Sequence, residues 1–330
     1  MPRVLYLIQA YPQVSETYMH TEIDRVRQHY DVHVATLCPP DLFYNKHEPF
    51  TRLNDARPES FAEIARQYRP DIVHGHYLHL APALWILARE AGTFFTVRSH
   101  SFDVLSAHAL TNPNVVRAVN DPLCRGVLCF PFLVGRLRAA GMDARKIHPC
   151  WPVVDLRKFR NRDPNGRDVM NVGAALPKKG MELFVDLAAH CPSMRFDLYM
   201  LGYDAVAIAD YARRTGSSVN IVPPVQPDDM PPEYKKHRWM IYTASKQYNT
   251  VGWPLSVAEA QASGVGVLMQ NIRPDLRDYV GPGSYVFDTI EDAYRIICQP
   301  FPEEKRELGF LHAEKSDVDS HIWQLFELWT

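Results

Sequence analysis

Val169-Met170-Asn171-Val172-Gly173-Ala174-Ala175-Leu176-Pro177-Lys178-Lys179-Gly180 is the stretch on which the fold turns. An apolar run of strand length, Val169–Val172, ends in glycine, and a short loop leads into a helix. Just upstream lies Arg160-Asn161-Arg162-Asp163-Pro164-Asn165-Gly166-Arg167, a polar, turn-prone segment that reads as a linker. The same rhythm runs on both sides of it. Upstream strand candidates are Val4–Ile8, Val32–Leu37, Asp71–His74, Phe94–Arg98 and Gly126–Phe130, with helical stretches Glu16–His29, Glu59–Tyr68, Leu80–Ala91 and Leu133–Ala140 between them. Downstream candidates are Val169–Val172, Arg195–Leu201, Val219–Val222, Trp239–Tyr242 and Gly266–Met269. Short apolar strands alternating with helices imply α/β architecture, with parallel sheets covered on both faces. At 330 residues the chain is about twice the usual domain size, so two domains are expected.

Composition narrows the function classes. Hydrophobic residues make up 46% and charged residues 22%, enough for a sizeable core. A formal net charge of -2 gives no reason to expect nucleic acid as partner. The Arg- and Lys-rich stretch 136–167 is the local exception, either a solvated face or a patch for acidic lipid or substrate, and so a peripheral membrane contact. The six cysteines form no C-x-x-C pair and no zinc pattern, which suits buried thiols in a reducing compartment. The first apolar run is too short for a signal peptide, and no stretch approaches the roughly 20 apolar residues of a membrane span. A cytoplasmic protein is expected. At the other end, Ser316 reads as a helix cap before the stripe Val318, Ile322, Leu325, Phe326 and Trp329. So apolar a helix must dock, and a return to the first domain satisfies it.

Open parallel sheets bind ligands beyond the carboxyl ends of their strands. Four junctions there carry polar residues. The loop from Gln9 to Thr17, with Ser15 as a cap and Glu16 beside it, is either a plain loop or an acceptor-side surface; it holds no G-x-G-x-x-G. Asp71–His76 ends in His74-Gly75-His76, either a metal half-site or satisfied polar residues at a strand end; the linker argues against the single barrel a metal set needs. Thr96–Asp103 places Arg98, His100 and Asp103 where a very apolar strand emerges, in ligand contact or, for His100, in a core or cap role. The fourth is Gly173–Gly180 together with Gly252-Trp253-Pro254-Leu255-Ser256-Val257-Ala258-Glu259, a loop opening a helix that Gly264 stops. Free amides at a helix start suit a pyrophosphate, and Lys178 or Lys179 adds a point charge. Glu259 is either a surface helix residue or a buried carboxylate for ribose hydroxyls.

Taken in order and spacing, these segments, with Val153–Phe159, resemble the retaining GT-B glycosyltransferases of family 4 over almost the entire chain. The resemblance implies a first Rossmann-like, acceptor-side domain over 1–160 and a nucleotide-sugar donor domain over 161–312. It also implies a central cleft between them and a C-terminal helix, 313–330, returning to the first. It implies that Lys179 contacts the donor diphosphate with Lys178 and Gly173 beside it. It implies that amides from Gly252 through Trp253, Leu255 and Ser256 approach the phosphates, and that Glu259 holds the ribose. His100 matches the family histidine near the transferred sugar, with Arg98 and Asp103 next to it; Ser15, Glu16 and His76 fall on the acceptor side. A UDP- or GDP-linked sugar is then co-substrate, with no cofactor and no metal.

Two positions depart from the family pattern. Val251 stands where the first of a pair of glutamates is usual, and Ala174 where an arginine usually follows the glycine. One sugar contact and one phosphate contact are missing, with Arg98 or Lys178 as candidates for the lost charge. The leading expectation is a retaining transferase acting on a glycan, glycolipid or metabolite hydroxyl, as in polysaccharide biosynthesis. Its rivals are a degenerate GT-B subunit that binds nucleotide or a partner without turnover, and a sugar-nucleotide epimerase.

Overall fold

The structure is a computed structural model that describes the chain except residues 14, 42, 44–48, 54, 107, 203 and 249, with the backbone alone at 108. The described residues form thirteen strands: β1 (Arg3–Ala10), β2 (Asp31–Cys38), β3 (Thr51–Arg52), β4 (Ile72–His76), β5 (Phe95–Arg98), β6 (Cys124–Cys129), β7 (Ile147–Pro149), β8 (Asp168–Ala174), β9 (Phe196–Leu201), β10 (Asn220–Val222), β11 (His237–Tyr242), β12 (Gly266–Gln270) and β13 (Tyr285–Phe287). They build two sheets, ordered β3-β2-β1-β4-β5-β6-β7 and β10-β9-β8-β11-β12-β13. Every pairing is parallel.

The apolar runs follow from burial on both faces. In β1, Leu5 and Leu7 join Val73, Phe95 and Val97 in one core, while Val4, Tyr6 and Ile8 join Met19, Ile23 and Leu325 in another. Gly75 in β4 permits this closeness, since a Cβ there would stand 2.8 Å from the Leu7 carbonyl and from Leu84. The second sheet packs Val169, Leu198, Trp239 and Leu268 with Phe184 and Val185 of the helix Glu182–His190.

Each sheet reverses its strand order once. The chain lays strands outward from β1, then returns to the other side of β1 as β4; it does the same with β8 and β11. Loops leaving adjacent strands at such a reversal run to opposite faces and leave a crevice at the carboxyl ends. The β1/β4 and β8/β11 ends are therefore where ligands are expected.

The two compact units are Met1–Val153 with Val318–Thr330, and Val154–Asp317. The division falls before the polar linker expected near 160, because residues 154–160 already belong to the second unit. Val154 N–H donates to the Ser316 carbonyl at 2.9 Å, Asn161 N–H to the Ala262 carbonyl at 3.3 Å, and Phe159 packs edge-on against Tyr234. The second crossing moves from 312 to 317 for the same reason, with Arg160 Nη2 2.7 Å from Asp317 Oδ2.

The last helix, Val318–Trp329, packs on the first unit as its stripe requires. Trp329 stands edge-on to Tyr30 at 5.1 Å, and its indole N–H donates to Thr96 Oγ1 at 2.9 Å. Arg25 meets Asp319 at 2.5 Å. Ser316 is not its cap: it sits in a buried 3₁₀ turn two residues earlier. The cysteines are unpaired, and among the described residues no helix is long and apolar enough to cross a membrane. Much of the 136–167 charge is matched nearby, with Arg145 on Asp143 (2.6 Å), Arg157 on Asp155 (3.3 Å), Lys158 on Asp228 (2.6 Å) and Arg162 on Glu307 (2.6 Å).

Candidate functional site

At the β8/β11 reversal, the loop after β8 is a 3₁₀ turn, Pro177–Lys179, closed by Gly180 in the left-handed region at φ 52°. A Cβ on Gly180 would press on Ser245 N at 3.3 Å, and that amide donates to the Lys178 carbonyl at 2.9 Å. The turn after β8 is thereby pinned to the loop after β11. Half-buried Lys179 donates to the hydroxyl of Tyr242, the last residue of β11, with Nζ 4.4 Å from the ring centroid. Burial pulls its ammonium down to about 8. A Cβ on Gly173 would stand 3.7 Å from Nζ, in ordinary contact with it.

The loop after β11 enters the helix Leu255–Ala262, with Pro254 at the N-cap. Amides in a first helical turn lack intrahelical acceptors. Trp253 is buried: it stacks on Tyr279 at 4.9 Å and 10°, and its N–H donates to Asp275 Oδ2 at 2.9 Å. Tyr279 O–H donates to the Pro254 carbonyl at 2.5 Å, which fixes the helix entry. Glu259 is half-buried, not a free surface residue. Burial pushes its carboxyl up to about 7, against the Tyr234 hydroxyl that donates to Oε2 at 2.7 Å. One cation in the turn after β8, and one helix start and one carboxylate in the helix after β11, thus follow the two strands of the reversal.

At the β1/β4 reversal a polar cluster is sealed in the first unit. Glu22, from the helix Thr17–Val26, is fully buried and takes Arg98 at 2.6 Å through Nε. The other Arg98 amine, Nη1, donates to Cys150 Sγ at 3.0 Å. Tyr6 O–H donates to Glu22 Oε1 at 3.2 Å, and His74 Nε2 and His76 Nε2 lie 3.1 and 3.2 Å from the same oxygen. Burial takes His74 down to about 4. His76 Nδ1 and His100 Nε2 are 3.2 Å apart. His100 is packed between Tyr18 and Tyr77, with centroids 4.5 and 4.6 Å away, and burial holds its imidazole well below the ordinary range.

Glu22, His74 and His76 are also the one group among the described residues whose ligand atoms converge, within 4.8 Å, tightly enough for a metal ion. The Arg98 guanidinium already neutralises that carboxylate, so the geometry suits a hydrogen-bond hub better than a dication site.

Several residues picked from the sequence land elsewhere than expected. Arg98 is 4% exposed and committed to Glu22, so it does not replace the charge missing at Ala174. Asp103, 3% exposed, receives the His100 amide at 2.9 Å and the Leu78 amide, a capping arrangement, and burial pushes it up to about 7. Ser15 is exposed and precedes the helix; Glu16 holds the N-cap position, and its carboxylate receives the Tyr77 hydroxyl. Position 14 of that loop lies outside the described residues. His76 and His100 are brought together, as are Lys178, Lys179, Gly173 and Ser245. Sequence reasoning missed Glu22, Tyr234 and Tyr242. Glu22 had a signal: it falls in the register of Met19, Ile23 and Val26, on the apolar stripe of its helix, where a carboxylate is costly unless paired.

No family model matches the chain, and no curated protein matches it. Solved structures do. HepE (Alr3699) of Anabaena in complex with UDP is similar with a TM-score of 0.81 and 16% identity, over 99% of this chain and 99% of that one. Sucrose-phosphate synthase of Thermosynechococcus elongatus gives 0.72 and 18% over 99% and 98%. The lipopolysaccharide outer core galactosyltransferase WaaB gives 0.66 and 14% over 99% and 98%. The likeness is one of fold: two Rossmann-like domains of the GT-B type, as the sequence resemblance implied.

Proposed function

We propose that this chain is a retaining, metal-independent glycosyltransferase that moves a sugar from a UDP- or GDP-linked donor to the hydroxyl of a glycan, glycolipid or metabolite. The observation that carries the reading is the placement of Lys179 in the turn after β8 and of Glu259 in the helix after β11, the two strands of the reversal, beside the start of that helix. Lys179, with Lys178 nearby, faces the diphosphate; amides from Gly252 to Ser256 approach it; Glu259 accepts the ribose hydroxyls. As the glycosidic bond lengthens, negative charge grows on the leaving diphosphate, and an ammonium and a helix dipole stabilise it without a metal. The first domain holds the acceptor, with Glu16 and His76 on that side and His100 orienting the transferred sugar. HepE, similar in fold, has been solved with UDP-glucose, which supports a uridine donor. Six reduced cysteines suit the cytoplasm. Exposed Arg136 and Arg138 are the carriers of any peripheral contact with acidic lipid.

Thermal unfolding with UDP, GDP and their sugars tests the donor site, since a ligand that binds only the folded state raises stability by about 2.7 kcal/mol at 100 times Kd. Lys179→Ala is expected to weaken binding by about 1–3 kcal/mol. Equal stabilisation of variant and wild type removes Lys179 from the site. A second reading, a binding subunit without turnover, is favoured by Val251 and Ala174; nucleotide binding without transfer to any acceptor would establish it.

A further inference from the structure

The buried Glu22 has no part in the donor chemistry, yet four side chains converge on it. Its Oε2 lies 2.6 Å from Arg98 Nε and 2.5 Å from Nη2. Burial alone would raise its carboxyl, but the Arg98 guanidinium and the two histidines hold it well below the carboxylate range. An ionised carboxylate only accepts. His76 Nε2, hydrogen-bonded to Oε1 at 3.2 Å, must therefore carry hydrogen; His74 Nε2 lies 3.1 Å from the same oxygen without a hydrogen bond to it. Arg98 already matches the charge of Glu22, so a further cation in this sealed cluster would go uncompensated, and burial keeps His74 neutral, down at about 4.

A neutral imidazole protonated at Nε2 has a bare Nδ1. For His74 that nitrogen lies 2.7 Å from Thr96 Oγ1, whose oxygen already accepts the Trp329 N–H at 2.9 Å and so turns its own proton to His74. This branch runs from Trp329 through Thr96 to His74. The other branch obeys the same rule. His76 Nδ1 is bare and 3.2 Å from His100 Nε2, so His100 must supply the proton.

We propose that Glu22 and His76 are positioning residues that lock His100 as its Nε2–H tautomer, leaving Nδ1 an acceptor, turned to the Asp103 amide in the capping box, and not a general acid. Packing keeps the ring from turning over. His76 and His100 stack at 5.4 Å and 13°, with Tyr18 and Tyr77 against the other sides. That His100 serves sugar transfer rests on the transferase reading; the tautomer does not.

The test is ¹⁵N NMR of the histidine ring nitrogens in the full chain, with His100 assigned by its loss in His100→Gln. Wild type is expected to show a single His100 species protonated at Nε2. His76→Phe keeps the stacked ring and the Glu22–Arg98 pair but removes the Nδ1 acceptor, and His100 should become a mixture of tautomers. With donor and acceptor in hand, kcat should fall about tenfold while nucleotide affinity stays within about twofold. Glu22→Gln strands Arg98 and is expected to lower Tm; His76→Phe is the variant that decides. A wild-type His100 protonated at Nδ1, or one that keeps a pure Nε2–H form in His76→Phe, overturns the lock. Unchanged kcat in His76→Phe overturns the positioning role. If the wild type transfers no sugar, the transferase reading fails alone and the nitrogen shifts still decide the tautomer.

Discussion

Donor binding should trace a bell against pH, because its two charged groups are pushed to opposite sides of the same narrow window. Burial raises Glu259 to about 7 and lowers Lys179 to about 8. Under the proposed function the nucleotide needs the opposite of what burial favours, a carboxylate for the ribose and an ammonium for the diphosphate. With those two values, the doubly charged form makes up about 60% of the protein at pH 7.5 and about 9% at pH 6 or 9. If that form alone binds, Kd rises about sixfold on either side of the optimum. The ligand should be UDP-glucose, whose diphosphate is esterified at both ends and does not titrate near neutrality. Titration calorimetry at pH 6, 7.5 and 9 reads the profile. Glu259→Gln should flatten the acid limb and Lys179→Met the alkaline limb, each at lower overall affinity. A wild-type profile flat across the three values would refute the reasoning, as would an alkaline limb that survives in Lys179→Met.

Three further outcomes are expected. Trp329→Ala removes a buried ring and the N–H bond to Thr96, and should cost about 3–5 kcal/mol, read by denaturant titration; unchanged stability would deny the docking of the last helix. Turnover should survive EDTA, and a loss restored by manganese or magnesium would contradict metal independence. His100→Ala should lower kcat by at least about 100-fold with little change in nucleotide affinity; near-full turnover with the true substrates would make His100 a structural residue.

The strands legible in the sequence were, apart from the short edge strand β10, those whose apolar runs are buried on both faces. All ten candidates correspond to observed strands, with ends shifted by a residue or two at most sites. The three that went unseen, β3, β7 and β13, have only two or three residues and lie at sheet edges. An edge strand that short carries no periodicity to read. The loops of the β8/β11 reversal were legible because glycine, lysine and a helix start sit together in sequence. The Glu22 cluster was not, since its members come from four separate elements and meet only through the β1/β4/β5 register, which pairs His74 with Thr96 and His76 with Arg98. Arg98 and Asp103 were read for ligand contact at a strand end; Arg98 is buried against Glu22, and Asp103 against the amides of His100 and Leu78. A polar residue after an apolar strand signals a junction, but not whether water or protein faces it.

The departures at Val251 and Ala174 bear differently on the two halves of a donor. Val251 is 3% exposed, and its carbonyl accepts from Arg273, itself paired to Asp275 at 2.8 Å. Asp275 also receives the Trp253 N–H, and Tyr279 both stacks on Trp253 and donates to Pro254. The loop is therefore held by its backbone and by side chains after 251, so a valine there does not move the helix start at Leu255. What changes is the side chain offered at that point: an apolar group that can accept no sugar hydroxyl. Ala174 likewise removes a cation without disturbing Lys179, which Tyr242 and the Gly180 turn fix independently. Under the proposed function, nucleotide recognition is intact and sugar recognition is altered. UDP should then bind nearly as well as a UDP-sugar, because the hexose adds contacts at a site stripped of its carboxylate. A UDP-hexose that binds far more tightly than UDP would show that another residue holds the sugar, and would turn the search for it to the first domain around His100.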